Sequence, residues 1–458
     1  MSHSTVSSTE PPEPGRGVTT AAAARKAVVA SMVGNFVEWF DYGIYGYLAP
    51  VLALVFFPKG DPTAALLATY AVLAVSFLVR PVGGIVMGRF GDQRGRKFVL
   101  SFTILLMAGG TFAIGILPSY AAVGVLAPVL LLLCRFVQGF GAGGEYSGAV
   151  SFVVEYGPVN KRAYYGSWAA VSVFLGLLAG SGFATLLNAT LSTSALDSWG
   201  WRIPFLISAP LGVIGLYIRS KMEDTPEFQK VVETGNVVAA PVAEAVRTCW
   251  KPMSVFFGFA IANAVGSYLF SSYLTTYLSS TGGHTASQAL LANSIALVVL
   301  IVALPFGGML SDRIGRKPCL LIGIGLLGVF ILPAFKLAEQ PGFGAVLGSE
   351  MVFAVALFFI SPSVTVSIAE MFPAAVRVTA GAITYNLAFT VFGGTAPFVA
   401  TALVSVGGKL APAYYVIAIT AFSFVFVALA YREYRGRRGQ QLVPENHIPL
   451  NTATAVAG

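Results

Sequence analysis

Hydrophobic residues in this chain come in long runs separated by short polar segments. They show neither the alternation of a half-buried strand nor the narrow stripe of a soluble amphipathic helix. Each run approaches the ~20 residues that a helix needs to cross a hydrocarbon core about 30 Å thick. The runs fall near residues 27–57, 64–88, 98–117, 121–154, 164–190 and 203–219, and again near 253–279, 286–310, 319–337, 345–369, 378–405 and 411–431. Between the two sets lies a segment with charges of both signs, "RSKMEDTPEFQK". The pattern predicts an all-α membrane protein of twelve transmembrane helices in two six-helix bundles. It divides the chain into a Ser- and Pro-rich disordered tail at 1–24, a first bundle at 25–219, a central loop at 220–251, a second bundle at 252–431 and a tail at 432–458. The fourth run contains "GFGAGG", which predicts a bend or close packing against a neighbour.

Composition agrees. Of 458 residues, 56% are hydrophobic and only 10% charged, against about 25% charged in soluble domains. The net charge of +8 reads as the positive-inside bias of a membrane protein rather than as a nucleic-acid surface. Arg25, Lys26, Arg89, Lys97, Lys161, Arg219, Lys221 and the basic residues of the motifs below fall on one side of the expected topology. Only Lys59, Arg202, Lys336 and Lys409 fall on the other. Both termini are therefore expected in the cytoplasm, with the chain in a plasma or inner membrane. The N-terminus has no apolar segment behind a basic start, so it reads as a tail and not a signal peptide. Cys134, Cys249 and Cys319 have no metal-ligand spacing, and neither a disulfide nor a metal site is expected.

Two motif pairs relate the halves. Gly88-R-F-G-Asp92-Q-R-Gly95-Arg96-Lys97 matches Gly308-M-L-S-Asp312-R-I-Gly315-Arg316-Lys317, and Glu155-x2-Pro158-x3-Arg162-x3-Gly166 matches Glu370-x2-Pro373-x3-Arg377-x3-Gly381. Recurrence in the same order at nearly the same offset predicts a parallel internal repeat. A glycine one turn before the loop lets two helices approach closely. The Asp at the helix end is placed to accept from N–H groups at another helix's N-terminus, and the second Gly permits a tight turn. Asp92, Arg94, Arg96, Glu155, Arg162, Asp312, Arg313, Arg316, Glu370 and Arg377 are thus candidates for a cytoplasmic gate. In it Glu155 and Glu370 are expected to face Arg94 or Arg96 and Arg313 or Arg316.

Charges inside the apolar runs are the other signal, because each costs roughly 2.5–3.5 kcal/mol to insert. Glu38 and Asp41 in "GNFVEWFDYGIYG", Arg80, Arg135 and Glu145 are of this kind. Glu38 and Asp41 share one helix face, and at about 1.5 Å per residue they lie near mid-membrane, as does Arg135. Arg80 fits either the gate or the cavity. Glu145 is too far along its helix to pair with Arg135, and Glu350 is expected to be interfacial.

The doubled G-x3-D-x2-G-R-K loop resembles the signature of the major facilitator superfamily. "FLVRPVGG", "RFVQGFGAGGEYSGA", "WGWRIPF" and "EDTPEFQ" resemble its metabolite:proton symporters, most nearly the porters of proline and glycine betaine. The osmosensing porter of that kind carries Lys in place of Arg135, and a long charged C-terminal coiled coil that this chain lacks. The resemblance implies the major facilitator fold, a site near the midplane between the halves, and no cofactor beyond a proton gradient. In related proton-coupled sugar porters an Asp of span one faces an Arg of span four. The resemblance therefore assigns proton coupling to Asp41 with Arg135, and Glu38 is a second coupling candidate.

An aromatic cage suits a quaternary ammonium, and Arg135 suits a carboxylate. Arg135, Tyr42, Tyr45, Trp168, Asn263, Tyr268, Tyr273, Tyr385, Asn386 and Phe392 are the candidate contacts. The second half has no mid-span Lys or Arg for a further carboxylate. The reading is uptake of a small carboxylate-bearing osmolyte, with a di- or tricarboxylate or shikimate as the alternative, by a protein acting as a monomer in the bilayer. No catalytic cluster and no nucleotide loop is present, so an enzyme and an ATP-driven pump are both disfavoured.

Overall fold

The structure, a computed structural model, describes residues 21–431 except 59, 222–228, 230, 231, 234–237 and 239. The expected tails at 1–20 and 432–458, most of the central loop, and Lys59 lie outside the described residues. Among those described there is no strand. Eleven helices are long and apolar enough to cross a membrane, and a bent pair supplies the twelfth span.

In the first half the spans are Ala21–Tyr47 continued by Ala49–Phe56, then Pro62–Arg94, Arg96–Ile116, Leu126–Tyr156, Arg162–Thr190 and Arg202–Ser220. In the second half they are Pro241–Ser280, Ala286–Ile314, Arg316–Leu337, Phe343–Met371, Arg377–Val404 and Ala411–Ala430. They are called spans one to twelve below. Three details depart from the apolar pattern. Span one turns by 70° between Tyr47 and Ala49, where Pro50 opens the second piece. Span seven is already helical at Pro241, well before the apolar run begins. Spans seven and eleven each contain a π-helical turn, Leu269–Tyr273 and Phe389–Gly393, a feature concentrated at functional sites.

Within the first half, span one lies along span five, span two along span four, and span three along span six; in the second, span nine lies along spans ten and twelve. The halves meet chiefly where span two packs on span eleven and span five on span eight. That exchange of partners is the one a pseudo-twofold repeat produces. Trp39, Tyr42, Phe77 and Phe174 of the first half join the large apolar cluster of the second half, whereas Tyr45, Phe56, Trp201 and Phe205 close a separate core inside the first half. The "GFGAGG" segment is a continuous part of span four. A Cβ on Gly143 would meet the Arg80 carbonyl at 2.3 Å, so the glycine sets how closely spans two and four approach.

Candidate functional site

The repeated loop joins spans two and three, and again eight and nine, through one glycine each time. Gly95 and Gly315 both take φ 101°, backbone that other residues adopt only with strain. The acid before each glycine reaches across to the other half. Asp92 accepts the Thr379 backbone N–H at 3.0 Å and its hydroxyl at 2.6 Å. Asp312 accepts the Ala163 and Tyr164 N–H groups at 3.0 and 2.9 Å. Each carboxylate thus caps the first turn of span eleven or span five, where the helix dipole favours an anion. The close approach depends on Gly88 and Gly308. A Cβ there would meet Thr379 Cα at 2.8 Å and the Ala163 carbonyl at 2.6 Å.

Of the expected acid–base partners, Glu370 meets Arg316, whereas Glu155 meets a base that was not expected for it. Glu155 pairs with Arg377 of the other half at 2.6 Å rather than with Arg94, and Arg377 also donates to the Phe372 carbonyl. Glu370 pairs with Arg316 at 2.8 Å inside its own half, and Arg316 also holds Asp312 at 3.0 Å. Arg94 and Arg313 are exposed. Arg94 lies over Phe90 and Phe98, which keeps its charge at the surface and out of the cluster. The Arg96 side chain lies outside the described residues. Arg162 is buried.

Inside the spans, two acids meet two bases. Arg135 donates to Asp41 at 2.5 Å, and Gln138 donates to the second Asp41 oxygen at 3.1 Å and to Thr111 at 2.7 Å. Arg80 donates to Glu38 at 2.5 Å and to the Tyr42 hydroxyl at 3.3 Å. All four charged side chains are at most 4% exposed. Glu38 and Asp41 share a helix face, yet each reaches a different neighbour, span two or span four. Arg80 therefore belongs with the acids and not with the loop cluster.

Arg135 stacks on Tyr45 at 3.8 Å, whose hydroxyl donates to the Thr69 carbonyl at 2.9 Å. Both lie inside the first half, so Tyr45 is a packing partner of Arg135 and stands apart from the seam. Tyr42 is at the seam, beside Phe77 at 5.0 Å. From the second half, Tyr268 reaches Trp39 and Phe77 at 5.9 and 5.4 Å. Tyr385 stacks on Tyr146 at 4.4 Å, and Asn386 donates to the Gly143 carbonyl at 2.5 Å. The rest are more dispersed. Asn263 accepts from Ser361 at 2.8 Å, Tyr273 lies beside Tyr277, Trp168 is half-buried beside Tyr164, and Phe392 contacts Phe257.

Three features escaped the sequence. Trp39 and Phe77 were not singled out among the aromatic residues, and they stand at the seam against Tyr268. Arg219, counted among the surface cations, is 2% exposed and pairs with Glu145, which also accepts from Thr103. Glu350, expected at the interface, is fully buried and accepts from Asn293 at 3.1 Å. No group of three metal-ligating side chains occurs among the described residues.

The chain matches two transporter families: Sugar (and other) transporter over residues 26–245, and Major Facilitator Superfamily over residues 255–456. The proline/betaine transporter of Escherichia coli (strain K12) is 36% identical over 410 residues, 88% of this chain and 82% of that protein. The glycine betaine/proline/ectoine/pipecolic acid transporter OusA of Dickeya dadantii (strain 3937) is 37% identical over 411 residues, 88% and 82% of the two chains. Among solved structures, the proton:xylose symporter XylE bound to 6-bromo-6-deoxy-D-glucose aligns with TM-score 0.74 over 92% of this chain and 98% of that one, at 17% identity. A partially occluded inward open form of XylE from E. coli gives 0.70. At that identity the likeness establishes the fold.

Proposed function

We propose that this chain, which belongs to the major facilitator superfamily of transporters, couples uptake of a small carboxylate-bearing zwitterion to a proton by alternating access, with proline or glycine betaine as the substrate. The observation that carries this reading is the pair of buried acid–base contacts at mid-membrane, Asp41 with Arg135 and Glu38 with Arg80. A buried pair is held only while both members are charged, and losing one charge leaves the other uncompensated in a low dielectric. Protonation of Asp41 releases Arg135 and alters how span one packs on span four, and this biases which face is open. Glu38 is the second coupling candidate.

The Lys- and Arg-rich face is the cytoplasmic one, and both termini lie there, in a plasma or inner membrane. On that face Asp92, Asp312 and the Glu155–Arg377 pair hold the halves together, so opening to the cytoplasm separates these contacts. The proton gradient is the driving force, no cofactor takes part, and a single chain is the working unit. The names of the relatives support an osmolyte. No mid-span Lys or Arg of the second half offers a di- or tricarboxylate a further cation among the described residues.

Uptake of labelled proline and glycine betaine into proteoliposomes tests the reading. An external acid pulse should drive accumulation, and a protonophore should abolish it. Accumulation of citrate or α-ketoglutarate with no uptake of either osmolyte would overturn the substrate assignment. Osmolyte uptake that ignores the protonophore would overturn the coupling.

A further inference from the structure

Four aromatic rings close into a box at the seam. Trp39 lies 5.9 Å from Tyr42, Tyr42 5.0 Å from Phe77, Phe77 5.4 Å from Tyr268, and Tyr268 5.9 Å from Trp39. Three rings come from spans one and two, and the fourth comes from span seven of the other half. The box holds a cation of the protein's own, the guanidinium of Arg80, whose carbon is 4.6 Å from the Tyr42 ring, 4.8 Å from Phe77 and 5.9 Å from Trp39. Buried polar atoms without a partner belong to the same group: the Trp39 indole N–H, the Tyr268 hydroxyl and the second Glu38 oxygen. Their residues are at most 6% exposed. Of the buried atoms without a partner among the described residues, these three sit on the box, where the Trp39 N–H and the Tyr268 hydroxyl can donate to a ligand's carboxylate.

We infer that this box is the cation subsite for the substrate, and that Arg80 is its resident stand-in. The inference rests on the zwitterion reading and deepens it. A zwitterion binds by exchange. Its alkylated nitrogen replaces the guanidinium among the rings beside Glu38, and its carboxylate takes the displaced guanidinium as a charge-assisted pair. The site then holds two positive and two negative charges in alternation, so loading adds no net charge to a buried region. When the substrate leaves, Arg80 returns to Glu38, and the unloaded transporter carries no unpaired charge as it reorients. A dicarboxylate has nothing to put among the rings. Because Tyr268 belongs to the second half, the box is complete only while the halves are together at mid-membrane, which links occupancy to closure.

Binding to the purified full-length protein, by calorimetry and Trp fluorescence, tests this with three probes. These are glycine betaine, choline (the same cation without a carboxylate) and 3,3-dimethylbutanoate (the same shape and carboxylate without a cation). The wild type is expected to bind betaine and neither of the others in the same range. Tyr268→Leu and Phe77→Leu should weaken betaine about tenfold, the scale of a desolvated cation–π contact. Arg80→Gln should lose betaine and gain choline, because the box is then open to a cation that needs no carboxylate partner. If that variant does not fold, Arg80→Gln/Glu38→Gln is measured instead, and choline binding there carries the same weight. Unchanged betaine affinity in Tyr268→Leu, or no choline binding in the folded Arg80 variant, overturns the box. If the wild type still shows proton-driven osmolyte uptake, the transport reading survives that outcome; if it transports neither osmolyte, the transport reading itself has failed.

Discussion

Asp92 and Thr379 lie in different halves of the chain, and the Asp92 carboxylate takes both the N–H and the hydroxyl of Thr379, at 3.0 and 2.6 Å. Asp312 makes the matching contact to the N–H groups of Ala163 and Tyr164. The repeated loop therefore works in trans, with each copy capping a helix of the other half. Opening on this face separates the acid from its helix start, and water then solvates both.

Asp92→Ala should shift the protein toward the form open on this face. A hydrogen bond to a charged acceptor is worth about 1.5–3 kcal/mol net, so the ratio of closed to open should fall by roughly ten- to a hundredfold. The distance between spin labels at the exposed positions Arg94 and Arg313, one per half, should lengthen. An unaltered distance distribution would show that Asp92 does not hold the halves together.

Asp41→Asn separates coupling from architecture. The amide keeps the size of the side chain but only one of the two acceptors that Arg135 and Gln138 use, and it cannot cycle a proton. Uphill accumulation driven by a proton gradient should disappear, while exchange of labelled for unlabelled substrate at equal pH continues. Retained proton-driven accumulation would move the coupling role to Glu38 or elsewhere.

The Glu145–Arg219 pair is expected to hold the first half together. Arg219 also donates to the Leu100 carbonyl, and Thr103 donates to Glu145, so the pair ties spans three, four and six. Glu145→Gln strands a buried guanidinium at a cost of about 3–5 kcal/mol and should lower the Tm of the detergent-solubilised protein by several degrees. Glu145→Gln/Arg219→Leu should recover most of that loss. A single variant as stable as the wild type would mean that the pair contributes nothing net.

Glu350 differs from the other buried acids, since it forms no ion pair among the described residues. Asn293 donates both to it, at 3.1 Å, and to the Phe270 carbonyl in the π turn of span seven, at 2.8 Å. Glu350→Gln preserves an acceptor and should leave Tm within about 2 °C of wild type. Asn293→Leu leaves two buried acceptors without a donor, at about 1–3 kcal/mol each, and should lower Tm clearly. A larger loss in Glu350→Gln than in Asn293→Leu would show that the charge itself matters for stability.

Run length was enough to determine the spans, because crossing a fixed thickness of hydrocarbon constrains every helix in the same way. The doubled loop was legible for a related reason. A glycine for close approach, an acid for a helix start and a glycine with positive φ must stand at set intervals within one turn of chain. The acids at 38 and 41 were also visible, since apolar runs rarely carry charge. The resemblance already set Asp41 against Arg135, as the structure has them; what the sequence left open was the base that Glu38 meets. Glu38 and Asp41 sit three residues apart in the same surroundings, and only the packing of spans two and four around span one sends one to Arg80 and the other to Arg135. The aromatic box depended on the tertiary structure still more. Trp39, Phe77 and Tyr268 are ordinary membrane-helix residues one at a time, and they become a cation site only because two halves of the chain fold against each other around a guanidinium.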